Sequence, residues 1–547
     1  MGRAVLALLL LAFLVAPQPR PAPVSTPIHS YADAVRHTAW VDTGTARVAA
    51  DVIRPRTARP VPVIMVASPY NTTLGRGNEE QTKTYDEHGA PVSFPLWLDN
   101  YFVPRGYAVV QVDLPGTGRS TGCLDVGGPG DVGAARAVID WLNGRATAYT
   151  SVTGAERATA SWTTGDVGMI GKSWDGTIAV GVAGTRVEGL RTVVPIAAIS
   201  SWYDYYRAGG TPLDSGTPAA LAAEVDNRSD CPYPGLAAPP LSPDDPLWRA
   251  RDYRPSAGAV RASVFAVHGL ADANVRTIHF GQWWSGLTAP RRVWLTQAGH
   301  VDPFDFRRAE WVAALHQWFD HHLLGLDNGA PLGASVERAP GVWVDYPAWP
   351  AQTSQTTLHP TADGSLGTAP GEGSLEFADD QRTAQEWLDD TSSSRLLFRT
   401  GPLAADTRIS GTPTVGLSAR GDRVSVLLVD LGRATVRDPG EDGVRTLGTR
   451  SCWGDSAPGD SACYLDTDAP TVTVEHRVLA AGWTAGGRVE VPLGAVDAVV
   501  PAGHRIGLVI GGTDREALPE GLPGRVRVDL GGTVLRLPVV GTLGAGS

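Results

Sequence analysis

Positive charge is what this chain is short of. Its 46 Lys and Arg stand against 57 Asp and Glu, a formal net charge of −11, and no stretch concentrates the basic residues. A nucleic-acid binder held by phosphate neutralisation needs such a cluster, so that class is excluded. Long hydrophobic runs are equally scarce. Ala4 to Ala16 in "MGRAVLALLLLAFLVAPQPRPAPVSTP" is the longest, and it falls short of the about 20 residues that cross a bilayer. One basic residue, a short apolar run and a Pro-rich polar stretch read instead as a secretory signal over residues 1–26, with an uncleaved anchor as the alternative. The expectation is a secreted protein that leaves the membrane once the signal is removed. Cysteine is rare too: four in 547 residues, none in the C-x2-C units of a zinc site, which argues against structural zinc. Cys452 and Cys463 bracket "WGDSAPGDSA", a turn-rich loop that a disulfide can close. Cys123 and Cys231 either form a second pair or stay as unpaired buried thiols.

What is present is apolar material for more than one core. With 547 residues, 43% of them hydrophobic, two or three domains are expected. Between about residues 60 and 325 short β-rich runs alternate with helix-period segments. "PVIMVASPY", "YAVVQVDL", "LRTVVPIAAIS", "ASVFAVHGL" and "RRVWLTQAG" read as strands. "DVGAARAVIDWLNG" sets Val132, Ala135, Ile139 and Leu142 on one helical face, and "EWVAALHQWFDHHLLG" does the same with Trp311, Leu315, Trp318 and Leu323. Strand and helix in alternation predict an α/β domain, a parallel sheet covered on both faces, over residues 27–335. Residues from about 201 to 260, rich in Trp, Tyr and Pro, break the rhythm as an inserted cap over the strand ends, where ligands bind. From 336 to 547 short alternating runs such as "RVSVLLVDL" and "HRIGLVIGG" between turn residues predict a β-sandwich of jelly-roll type.

The chemistry starts at "DVGMIGKSWDG", residues 166–176. An apolar strand, a tight turn and a helix-compatible run are the context of a G-x-S-x-G nucleophile elbow, in which a sharp turn lifts the serine out of the sheet. Here the second glycine comes one residue late: Gly171, Ser173 and Gly176, with Asp175 where Gly is standard. An α/β-hydrolase supplies its acid and then its histidine after later strands. "VFAVHGLADANV" delivers Asp272 and "VWLTQAGHVDPF" delivers His300, each just beyond a predicted strand end. The imidazole would take the Ser173 proton and the carboxylate would fix its tautomer. His268 ends an apolar strand and is expected to serve a local backbone group. His316, His321 and His322, with Asp320, are expected on a solvated helix face rather than at a metal. "DLPGTGRSTG" has the glycines of a phosphate loop without its G-K-[ST] ending, and reads as a loop beside the site. No cofactor is called for.

At this point the chain resembles a known family. "GKSWDGTIAVGVAGTRVEGLRTVVPIAAISSWYDYYR" is similar to the nucleophile region of bacterial Xaa-Pro dipeptidyl-peptidases, and "ASPYN", "AVIDWLNGRA", "HGLADANV" and "GHVDPF" fit that family's other landmarks in order. The resemblance implies a serine peptidase that removes N-terminal dipeptides ending in proline, with Ser173, Asp272 and His300 as triad. It implies an oxyanion hole from the Trp174 backbone N–H and the Tyr70 hydroxyl. Trp202 and Tyr205 fall at aromatic positions of the family's proline pocket, and Asn274 near the substrate amine. Glu224, with Asp204 and Asp226 as rivals, is the expected carboxylate for that amine. Trp174 stands where the family commonly has Tyr, and Pro115 where Arg is expected. The partners implied are peptides with proline second. An esterase or β-lactam acylase of the cocaine-esterase type shares this architecture and is the alternative. A glycan- or wall-binding protein with an inert hydrolase part is the alternative from another class.

Overall fold

The structure is a computed structural model, described over residues 23–226, 230–389, 393–522 and 524–543. The expected signal segment falls almost wholly outside the described residues. Ten strands build the first sheet: β1 Val35–Asp42, β2 Arg47–Arg54, β3 Val61–Ser68, β4 Ala108–Asp113, β5 Thr163–Lys172, β6 Leu190–Ile196, β7 Ser263–Gly269, β8 Arg291–Thr296, β9 Gly333–Ala339 and β10 Val342–Tyr346. Their spatial order is β10-β9-β8-β7-β6-β5-β3-β4-β2-β1, and two short strands, Ala148–Tyr149 and Arg157–Ala158, extend the β1 edge. From β4 to β9 every pairing is parallel, while β2 turns antiparallel to β4 and β10 to β9. The sheet thus runs on to Tyr346, past the boundary expected at residue 335. The alternating β-pattern of β9 and β10 looks the same whether a strand joins one sheet or the other.

Strand alternation sends successive side chains to opposite faces. Val63, Met65 and Ala67 enter one core with Val110 and Val112, whereas Ile64, Val66 and Val109 enter the other. Helices α1 Pro129–Leu142 and α2 Trp174–Gly184 cover the first face, with Val132, Ile139 and Ile178 buried against it. Two further helices are α3 Ile278–Gly286 and α4 Arg308–Leu323. Trp311, Leu315 and Trp318 of α4 fill the second face. The insertion between β6 and β7 folds as short helices, including Trp202–Tyr206 and Pro218–Val225, and the Cys123–Cys231 disulfide ties it to the loop after β4.

Beyond Tyr346 the described residues form two larger antiparallel sheets and two two-stranded pairs, one of them Ala434–Arg437 with Thr471–Val474. Of the larger sheets, one contains Ser354–Pro360, Val534–Val539, Thr414–Arg420 and Arg525–Asp529; the other aligns Arg395–Arg399, Arg505–Gly511, Val424–Leu431 and Arg477–Thr484. Their inner faces share one core that holds Leu417, Leu535 and Leu537 with Val426, Leu428 and Leu508, the arrangement of a β-sandwich. A hairpin from this domain, Arg445–Cys452 with Cys463–Asp468, is closed by the Cys452–Cys463 disulfide. It leans on the catalytic domain, where the Tyr464 hydroxyl donates to Asn100 Oδ1 at 2.7 Å. Among the described residues no helix is long and apolar enough to cross a membrane.

Candidate active site

Ser173 sits between β5 and α2 with φ 61° and ψ −124°. A non-glycine residue there is strained, and the surrounding backbone must hold it in place. It does so tightly: the Ser173 N–H donates to Ile196 O at 2.9 Å. A Cβ on Gly171 would meet the Asp175 Cβ at 2.3 Å, and one on Gly176 would meet Gly171 O at 2.6 Å and Ile196 O at 2.9 Å. The two glycines of the displaced motif are therefore required by close approach of backbone. Asp175, in the place of the standard glycine, is buried and forms an ion pair with Arg76.

Asp272 follows β7 and His300 follows β8, on the same carboxyl rim as Ser173. His300 Nδ1 lies 2.8 Å from Asp272 Oδ2. The other oxygen of Asp272 accepts from the Asn274 and Val275 N–H groups at 3.0 and 2.8 Å. These two bonds fix the carboxylate with its Oδ2 turned to the imidazole. The His300 carbonyl accepts from Lys172 Nζ at 2.9 Å, so the residue before the serine also holds the histidine loop. The neighbouring His268 bonds the Val275 carbonyl at 2.8 Å, as expected for a residue serving local backbone.

Tyr70 follows β3, and its phenol stands near enough to the Ser173 side chain for that serine to help hold its pKa down. Burial pushes its pKa up, with Arg76 opposing, so the phenol is a neutral donor at physiological pH. The Trp174 N–H is at the first position of α2, where no intrahelical acceptor exists. Arg76 was not legible in the sequence as a site residue. Its guanidinium lies 4.6 Å from the Tyr70 ring centroid and donates to Lys172 O at 3.0 Å. Burial lowers its pKa to about 10, which leaves it charged. Behind this turn a cavity of about 30 Å³ is lined by Arg76, Lys172, Asp175 and Asp302, room for one or two waters.

The predicted binding residues divide. Tyr205 is partly exposed, and its hydroxyl donates to Asn274 Oδ1 at 2.8 Å, joining the cap to the loop of Asp272. Trp202 is 0% exposed and packs edge-on against Trp174 and Tyr205 with ring centroids at 5.3 and 5.7 Å. It backs the aromatic wall and offers no surface of its own to a ligand, because Gly127 and the cap close over it. Glu224 is exposed on the helix Pro218–Val225, near enough to raise the pKa values of Tyr70, Tyr205 and Tyr206. Its rivals are engaged elsewhere: Asp204 pairs with Arg254 at 2.5 Å, and Asp226 accepts from the Tyr233 hydroxyl. His316 and Asp320 are not on a solvated face. Both are buried, and Ser25 Oγ lies 2.8 Å from each. They anchor the chain before β1, a long-range contact that helix periodicity cannot reveal.

The strand order, the antiparallel β2 and the strained serine after β5 define an α/β-hydrolase, here with a cap and a C-terminal β-sandwich. Two solved structures share the fold: a CocE/NonD family hydrolase from Staphylococcus aureus, with TM-score 0.66 and 15% identity over 93% of this chain and 94% of that one, and an α-amino acid ester hydrolase, with TM-score 0.59 and 14% identity over 97% and 100%. Residues 43–234 and 238–302 match the X-Pro dipeptidyl-peptidase (S15 family) model, and residues 326–535 match the X-Pro dipeptidyl-peptidase C-terminal non-catalytic domain. A protein of Streptomyces avermitilis named "Putative Xaa-Pro dipeptidyl-peptidase" is 48% identical, over 98% of this chain and 88% of its own. The chain belongs to the S15 family of X-Pro dipeptidyl-peptidases.

Proposed function

We propose that this protein is a serine peptidase that releases Xaa-Pro dipeptides from the free amino ends of peptides. The observation that carries the chemistry is a strained, partly exposed Ser173 on the same strand-end rim as a His300 held by Asp272 at 2.8 Å, with Lys172, the residue before the serine, bonded to the His300 carbonyl. His300 Nε2 takes the proton of Ser173 Oγ as the oxygen attacks the prolyl carbonyl. Tyr70 Oη and the Trp174 N–H receive the oxyanion that forms. Collapse of that intermediate breaks the C–N bond, and the imidazolium returns its proton to the leaving amine. Water, deprotonated by His300, then attacks the acyl-enzyme and frees the dipeptide and Ser173.

An exopeptidase must read the free amine. Glu224, the one exposed carboxylate of the three candidates, supplies the countercharge, and Asn274 an amide oxygen beside it. Tyr205, backed by Trp202, presents a flat apolar wall suited to a proline ring. Peptides with proline second are the substrates on this reading. Export through an N-terminal signal that ends before Ser25, which His316 and Asp320 hold in the folded chain, accords with two disulfides, which persist in oxidising compartments. Recovery of the processed chain in the culture medium tests the export.

The deciding experiment is release of a chromophore from an Ala-Pro anilide, beside the same compound with its amine acetylated and a Ser173→Ala control. Turnover of the free amine alone, lost in the variant, is expected. Equal turnover of both compounds, or of simple esters only, moves the protein to the esterase and acylase branch of the fold.

A further inference from the structure

The segment between β8 and His300 is gripped from two sides. On one side is the loop that carries the acid: the Leu270 N–H donates to Thr296 O at 2.7 Å and the Ala271 N–H to Ala298 O at 3.3 Å. The contact is so close that a Cβ on Gly269 would meet Gly299 O at 2.2 Å. On the other side is the C-terminal β-domain. Glu337 of β9 is 1% exposed, and its Oε2 accepts from Thr296 Oγ1 and the Gln297 N–H, both at 2.7 Å. Its Oε1 accepts from Arg437 Nη2 at 2.7 Å, Arg437 Nε at 3.0 Å and the Gly341 N–H at 2.7 Å. Arg437 belongs to the β-domain, and its Nη1 donates to Gly443 O at 3.1 Å, which fixes the loop 438–443. That loop in turn sits on Gly299: the Gly299 N–H donates to Asp442 O at 2.9 Å, and a Cβ there would meet Asp442 Oδ1 at 2.1 Å and Cγ at 2.9 Å.

From this we infer that the C-terminal domain is part of the catalytic apparatus: through the Arg437–Glu337 pair and the Asp442–Gly299 contact it sets where His300 stands. Arg437, Glu337 and Asp442 are positioning residues. They do not reach the site, and they act through the four residues that precede the imidazole. A buried ion pair is a costly way to gain stability alone. Here one carboxylate oxygen holds Arg437 while the other is satisfied by Thr296 and Gln297 of the strand end that leads to His300, so the pair fixes a location. General-base catalysis is sensitive to such placement, since a displacement of about 1 Å costs on the order of 100-fold.

The inference rests on Ser173 and His300 being the reacting pair, and the test separates the two. Arg437→Met and Gly299→Ala are compared with the parent in Ala-Pro anilide turnover and in the rate at which a fluorophosphonate labels Ser173. The labelling needs the serine and histidine but no peptide recognition. A roughly 10- to 100-fold loss of kcat with KM within about twofold, and an equal slowing of labelling, is the expected result for both. Because Arg437→Met strands a buried carboxylate at the risk of misfolding, a second cycle uses Asp442→Gly. That substitution suits the φ of 58° at residue 442 and removes all three side-chain atoms that a Cβ at position 299 would meet. Combined with Gly299→Ala it should restore most of the lost rate. Labelling at the parent rate in a folded Arg437→Met, or a Gly299→Ala defect that Asp442→Gly leaves untouched, overturns the inference. Slowed labelling in a protein that does not cleave the anilide upholds the positioning and rejects only the substrate reading.

Discussion

Single residues here act through where the backbone lets them stand. Ser173 keeps φ at 61° only because Gly171 and Gly176 allow the turn to close on itself. The sequence showed both glycines yet could not say why the second was displaced. The reason is Asp175, whose carboxylate turns inward to Arg76 and so needs the position a standard elbow gives to glycine. At this scale the sharpest prediction concerns Tyr70, whose phenol stands near Ser173. On the proposed mechanism Tyr70→Phe removes one oxyanion donor and keeps the ring in place. The expected outcome is a fall in kcat of roughly 100- to 1,000-fold, with KM and Tm nearly unchanged. Steady-state kinetics on the anilide checks it, and a kcat within about threefold of the parent would remove Tyr70 from the oxyanion hole.

At the scale of elements, the cap is the part least secured by regular structure. Its helices Trp202–Tyr206 and Pro218–Val225 span five and eight residues, too short to be stable without tertiary support. That support comes from the aromatic cluster of Trp202, Tyr206 and Trp248 and from the Cys123–Cys231 bond, which spans 108 residues. A cross-link closing a loop of about 100 residues contributes on the order of 4 kcal/mol by restricting the unfolded chain. Replacing both cysteines with serine should therefore lower Tm by several degrees and open the cap to proteolysis between residues 207 and 250. Limited digestion followed by mass mapping reads this directly. Cleavage confined to the chain termini in both proteins would show that packing alone holds the cap.

For the whole molecule, the joint between the domains carries a proton. The Tyr31 hydroxyl donates toward Asp99 Oδ2 at 2.7 Å and also contacts Asp460 of the disulfide hairpin. One hydroxyl proton cannot serve both carboxylates, so a carboxyl proton must be shared among them. Burial, and the charge of Asp460, push Asp99 well above the usual carboxylate range, and burial raises Asp460. The folded chain thus binds a proton that the unfolded chain releases. Its contribution to stability is complete at acid pH and is lost as pH rises from ordinary carboxylate values through the raised ones. Asp99→Asn supplies a permanent donor in that place. It should raise Tm more at about pH 8 than at about pH 5, and thermal unfolding across that range tests the sign; an equal shift at both would mean that the pair holds no proton. Much of this architecture was legible in advance. Periodicity gives the α/β order and the β-domain, because strands and helices write their period into the sequence, and the Trp-, Tyr- and Pro-rich break in that period gives the cap. Motif and order gave Ser173, Asp272 and His300 as candidates, since each must follow a strand end. Arg76, Glu337, Arg437 and Asp442 carry no such local mark, and the burial of Trp202 and His316 depends on what packs over them. Those were decided by tertiary structure, where contacts between residues far apart in the chain leave no period and no spacing to read.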